Sequence, residues 1–137
     1  MGIVYFMLKY SKEKSFSLVE LMVVLIIIGI LASIALPNYN KIKERAIDKE
    51  AIANLKLIQA AEKIYKMEIG GYYSNSGASN INTNLKLDLT EKNWQFGTDA
   101  VGKGTANRVS GARNWTINIG DSEPCCTGAD CPAGSGC

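Results

Sequence analysis

Two sets of residues in this 137-residue chain have types and spacings that could do chemistry. One is Glu20, the single charge in residues 16–36, FSLVELMVVLIIIGILASIAL. A carboxylate at the centre of a membrane segment costs about 2–3 kcal/mol, less near the interface, and so requires a partner. An ammonium group is the simplest one. A cut before Phe16 would create it about one helical turn from Glu20, able to neutralise that carboxylate or the same residue of a neighbouring molecule. The second set is Cys125, Cys126, Cys131 and Cys137, all inside the C-terminal PCCTGADCPAGSGC. Bridging adjacent residues strains the backbone, which leaves 125–131 with 126–137, or 125–137 with 126–131. Zinc is the competing reading. The CC-x4-C-x5-C spacing lacks the paired C-x2-C knuckles of a zinc ribbon, so disulfides are expected and a metal site is not. Each bridge would contribute about 2–4 kcal/mol to a tail too poor in large side chains to bury a core.

Catalysis has little to work with. Histidine is absent, which removes the commonest general base and every His-containing triad. No nucleotide loop, nucleophile elbow or paired-acid site is present in the pattern, so an enzyme is the least expected class and no cofactor is expected. Fifteen Lys and Arg exceed thirteen Asp and Glu by two, and Lys9, Lys12 and Lys14 against Glu13 account for that excess. From residue 16 onward the signs balance, so nucleic acid is not an expected partner. Three weaker patterns remain. Asn114-Trp115-Thr116 matches a glycosylation triplet but falls in an expected buried strand. Asp121, Ser122 and Glu123 suit a solvated turn better than a calcium loop, since no EF-hand spacing accompanies them. Arg108 and Arg113 could meet DNA or a neighbouring subunit; with a neutral chain, subunit contact or plain solvation is the better expectation.

These residues need elements to position them. The 21 residues 16–36 span roughly 30 Å as a helix, the thickness of a bilayer's hydrocarbon core. A cleaved secretory signal fits less well, because the run is long and passes without a loop into a helical pattern. Pro37 should bend the helix and let it continue. Residues 38–69 carry two apolar stripes, Ile42, Ala46, Ala53, Leu57, Ala60 and Ile64 in one, Ile47, Ala51, Leu55, Ile58 and Tyr65 in the other. Charges including Glu62 and Lys66, in the favourable i,i+4 order, occupy much of the rest. Gly70-Gly71 stops a helix of about fifty residues, roughly 75–80 Å long. A coiled coil is not expected, because the apolar run holds no sustained heptad. Gly29 and Ser33 give a small-xxx-small spacing that suits close helix contact or simple tolerance in an apolar helix. Beyond Gly71, SNSGASNINTN (74–84) reads as an exposed loop, and Leu85, Leu87 and Leu89 as a short strand or helical turn. Residues 93–100 and 113–120 read as strands with Trp94 and Trp115 as core anchors, and Gly102-Lys103-Gly104 as a turn, giving three or so strands.

Ser15-Phe16-Ser17-Leu18-Val19-Glu20-Leu21-Met22-Val23-Val24, then Gly29-Ile30-Leu31-Ala32 and Pro37, resembles the N-terminal signature of bacterial type IV pilins and type II secretion pseudopilins. The resemblance covers residues 12–39 densely. It implies an α+β fold of the type IV pilin kind. A long N-terminal helix, apolar in its first half and amphipathic in its second, would pack on a small antiparallel sheet with a disulfide-rich C-terminal tail. It divides the chain into a cleaved leader (1–15), an apolar membrane and filament-core helix (16–37), the amphipathic half of that helix (38–70) and a β head with a cysteine loop (71–137). A prepilin peptidase would cut between Ser15 and Phe16 and methylate the new amine of Phe16, and Glu20 would serve methylation and docking onto the filament. Two features depart from the family: Ser15 stands where Gly is usual, and residues 1–8 are apolar where leaders are usually short and basic. A start at Met7 would give the more typical leader MLKYSKEKS. The family's C-terminal loop usually has two cysteines, so four are a third departure.

The resemblance implies a structural subunit. It would be held in the bacterial inner membrane with its head outside the cytoplasm, then inserted by an inner-membrane assembly platform into a homo-oligomeric extracellular pilus for motility, adhesion or DNA uptake. A type II secretion pseudopilin is the near alternative; its major form tends to bind calcium and lack disulfides, so the cysteine tail favours the pilin. A membrane-tethered adhesin or binding module using 74–84 and the tail is the alternative from another class.

Overall fold

Helix α1, Leu18–Ile69, is set off by Ser17, whose hydroxyl accepts the Val19 N–H at 3.3 Å and whose carbonyl accepts the Leu21 N–H at 3.2 Å. That is how a serine just ahead of a helix relieves the unpaired amides of its first turn. The computed structural model from which this is read describes residues 16–137, without the side chains of 35–37. The leader expectations, including Ser15 and the start at Met7, therefore lie outside the described residues, as does the side chain of Pro37. No single helix among the described residues is long and apolar enough to cross a membrane alone; Leu18–Ile34 and Asn38–Ile69 reach that mark together. At the far end Gly70 takes φ +89°, and its N–H donates to the Lys66 carbonyl at 2.9 Å. A left-handed glycine there ends the helix at no steric cost.

The chain divides into two compact units, one ending at Lys41 and the other Ile42–Cys137. In the first, every residue from Phe16 to Ile34 is exposed. The second unit adds β1 (Asn75–Ser76), α2 (Ala78–Leu85), β2 (Trp94–Thr98), β3 (Gly104–Arg108), β4 (Asn114–Ile117) and β5 (Cys125–Thr127). The five strands form one antiparallel sheet in chain order. Register puts Phe96, Ala106, Trp115 and Cys126 in one row and Thr98, Gly104 and Ile117 in the next. These rows join Ala51, Leu55 and Ile58 of α1 in the core, with Trp94 and Trp115 both buried as expected. At Gly104 the sheet lies close against the helix: a Cβ there would meet Leu55 at 3.2 Å and Ile58 at 3.4 Å.

Three expectations are corrected. Of the two α1 stripes, only Ile47, Ala51, Leu55, Ile58 and Tyr65 pack into the core; Ile42, Ala46, Ala53, Leu57, Ala60 and Ile64 stay exposed. The 74–84 segment is not a loop. It holds β1 and most of α2, because Ala78, Ile81 and Leu85 recur on one face and bury themselves among the asparagines. Glu91 Oε1 accepts the Ala78 N–H at 3.0 Å, a cap that Gly77 cannot supply, and Asn82 exchanges two hydrogen bonds with the Leu89 backbone. The sheet has five strands because β3 (GTANR) and the short edges β1 and β5 form without large alternating side chains.

Candidate functional site

The sequence points to the start of α1, and the structure leaves that region open. Phe16 is 76% exposed and Leu18 86% exposed. Glu20 sits in the first turn of α1, where the helix's partial positive charge favours an acid. Ser33 turns its hydroxyl back onto the Ile30 carbonyl at 2.7 Å, so it presents little polarity outward. Gly29 has no atom within 4 Å of where a Cβ would stand. Nothing in the described chain covers this apolar surface, so its burial needs lipid or other molecules.

The head, by contrast, is fastened to its own stretch of α1. Arg113 Nη1 donates to both oxygens of Asp48, at 2.6 and 2.7 Å, and its Nε donates to the Asp130 carbonyl. Trp115 Nε1 reaches Asp48 at 3.4 Å, and Trp94 Nε1 donates to the Ile47 carbonyl at 2.9 Å. Arg108 pairs with Glu44 and lies over the Trp94 ring, 5.2 Å from its centroid. Contrary to the expected subunit contact or solvation, Arg108 and Arg113 are engaged inside the head; their side chains are only 8% and 14% exposed. Sequence reasoning lacked the signal because their partners lie more than sixty residues away.

Two further groups move. Glu62 is fully buried and makes no pair with Lys66; its Oε2 accepts the Tyr73 N–H at 2.9 Å and its Oε1 has no partner. Burial pushes its carboxyl up from the usual value, the Tyr73 N–H pulls it back, and the nearby Asp99 charge adds to the rise. Lys66 instead bonds Tyr72 Oη at 3.0 Å and sits over that ring. Asp121 is spent within the protein, taking the Asn118 backbone and side-chain N–H groups, while Glu123 pairs with Lys56 at 2.6 Å. Among the described residues no cluster of His, Cys, Asp or Glu is suited to a metal. Asn114 lies in β4, half-buried.

The cysteines pair as Cys125–Cys137 and Cys126–Cys131. They hold the tail against β5: Cys126 donates its N–H to the Ser135 carbonyl at 2.6 Å and bridges Gly136 in parallel.

Residues 10–36 match the family described as the prokaryotic N-terminal methylation motif. That stretch contains Ser15, Phe16 and Glu20. The N-terminal segment thus resembles that of type IV pilins and type II secretion pseudopilins. Relatives of both kinds are similar to it. It is 44% identical over 61 residues to the type IV major pilin protein PilA of Myxococcus xanthus, covering 44% of this chain and 28% of that one. It is 35% identical over 72 residues to type II secretion system core protein G of Escherichia coli, covering 52% and 50%. It is 41% identical over 61 residues to competence protein ComGC of Streptococcus pneumoniae, covering 44% and 56%. The chain thus spans between about a quarter and a little over half of these relatives. No solved structure gives a significant match. The long helix, the antiparallel sheet and the two C-terminal disulfides are consistent with a type IV pilin-like α+β fold.

Proposed function

We propose that the chain is a structural subunit of a type IV pilus, held by its apolar helix in the inner membrane after leader removal and then inserted into a helical surface filament. The observation that carries this reading is an exposed, apolar N-terminal half of α1 that leads into a head with its own packed core. In the bilayer lipid solvates residues 18–34; in the filament, helices of sister subunits replace it. Glu20 then meets the amine of Phe16, freed by cleavage after Ser15 and methylated, on an adjacent subunit. A buried carboxylate without such a partner would oppose assembly. The second reading, a type II secretion pseudopilin, is favoured by the similarity to core protein G. The disulfide-closed tail favours the pilin.

The test uses the full chain. Glu20→Ala should leave both disulfides and the head's thermal unfolding unchanged while sharply reducing shear-released fibres seen by electron microscopy. Wild-type fibre yield from that variant overturns the assembly role. Mass spectrometry of the mature chain should find a methylated N-terminal Phe16; a mature chain that retains Ser15 overturns the processing step.

A further inference from the structure

The exposed stripe of α1 in the head has a regularity that the core-facing stripe lacks. Ala53, Leu57, Ala60, Ile64 and Met67 alternate at spacings of four and three, the repeat of about 3.5 residues that lets two helices run side by side. All five are exposed, with Leu57 at 53%, Ile64 at 54% and Met67 at 78%. Ala51, Leu55, Ile58 and Glu62, which point into the core, lie on the opposite side of the same helix. Leu57 and Ile64 occupy the a positions of this seam, and Ala53, Ala60 and Met67 the d positions. The small alanines allow a close approach of backbones.

Charge chooses the occupant and its direction. Lys63 takes a g position and Glu68 the e position five residues on, and both are exposed. Neither pairs with another described residue among the salt bridges. In a parallel, in-register pair of helices, g of one chain faces the following e of its partner, so Lys63 would meet the second copy's Glu68 twice over, once on each side. In an antiparallel pair g positions face g and e positions face e, so Lys63 would not meet the second copy's Glu68. A second copy of this chain is therefore the partner that both the apolar seam and its flanking charges fit. Beside the seam, Leu57, Ile64, Leu85 and Leu87 line an open groove of about 320 Å³ that gives incoming side chains an apolar wall.

We propose that two copies of this chain pair through this seam as a parallel, two-fold dimer of heads while both are anchored in one membrane. The inference rests on the pilin-type reading only in that shared anchoring. Copies inserted in one bilayer with the same topology are already parallel and confined, so two heptads can suffice where they would be marginal in free solution. Such a contact is isologous and closes on itself, unlike the repeating contacts of a fibre.

Cysteine cross-linking of the full chain in membranes tests this. Ala60→Cys and Ala53→Cys, both at exposed positions, should each give a self-cross-linked dimer, and Ser79→Cys on α2 should not. Lys63→Glu should lower the Ala60→Cys dimer several-fold, and adding Glu68→Lys should restore it. A monomeric Ala60→Cys chain overturns the proposal, as do equal cross-linking at Ser79→Cys and indifference to charge reversal. So does linkage found only between Ala53→Cys and Met67→Cys chains when these are mixed, the mark of an antiparallel pair. Repeating the measurement with Glu20→Ala separates the two readings. Cross-linking should persist there without fibres, whereas fibres without cross-linking in the native background would remove the dimer and leave the pilus reading standing.

Discussion

Glu62 belongs to the core by position and to the surface by type. It lies four residues after Ile58 and three before Tyr65, both on the buried side of α1, so its phase was legible in the sequence even though its charge argued for solvent. That phase is the signal that could have found it. Its carboxyl titrates above the usual 4.5 because burial penalises the charge, with Asp99 adding to the rise. A raised native value means that the native state holds the proton more tightly than the unfolded chain does. The associated stability is fully present below 4.5 and is lost as pH rises through the raised value. Thermal unfolding of the wild type should therefore show a lower Tm at pH 7.5 than this group would allow at pH 5. Glu62→Gln should remove that part of the difference, keeping an acceptor for the Tyr73 N–H. An unchanged pH profile in Glu62→Gln would show that the residue is not the source.

At the scale of elements, ion pairs tie α1 to the sheet, and the Asp48–Arg113 pair is the most buried of them. Asp48 and Arg113 are 8% and 14% exposed, and Asp48 also takes the Trp115 N–H. Arg113→Ala leaves a buried carboxylate alone, and chemical denaturation should show a loss of about 3–5 kcal/mol. Removing both partners as Asp48→Leu with Arg113→Met should cost clearly less. The sequence disclosed the elements whose apolar residues recur at a fixed period. Helix α1 and the strands around Trp94 and Trp115 were readable for that reason. The same logic failed where small or polar residues do the work. In α2 three apolar positions are diluted by Ser79, Asn80, Asn82 and Asn84. In β3 the inward residues are Gly104, Ala106 and Arg108, chosen for thinness against Leu55 and Ile58 or for pairing with Glu44, neither of which shows as alternation. The candidate site divides in the same way. Residues 16–36 advertise themselves because their chemistry is local to the chain, whereas the partners of Arg108 and Arg113 exist only after folding.

For the molecule as a whole, the packed core lies in Ile42–Cys137, while the apolar run from Phe16 to Ile34 is exposed throughout. Both bridges close short loops, Cys126–Cys131 five residues apart and Cys125–Cys137 twelve. Loop-closure entropy puts their contributions at about 2 and 3 kcal/mol. Cys126→Ser with Cys131→Ser should lower the unfolding free energy by about 2 kcal/mol in a urea titration. The tail does more than staple, however. By bonding Cys126 it occupies the open rim of the last strand, where backbone groups would otherwise stand ready to recruit another chain. Under strong reductant that rim becomes a template, and a dye that reports cross-β stacking should brighten with time in a reduced sample while staying dark in an oxidised one. The tail would then be the feature that keeps association on the helical side of the molecule and off its sheet.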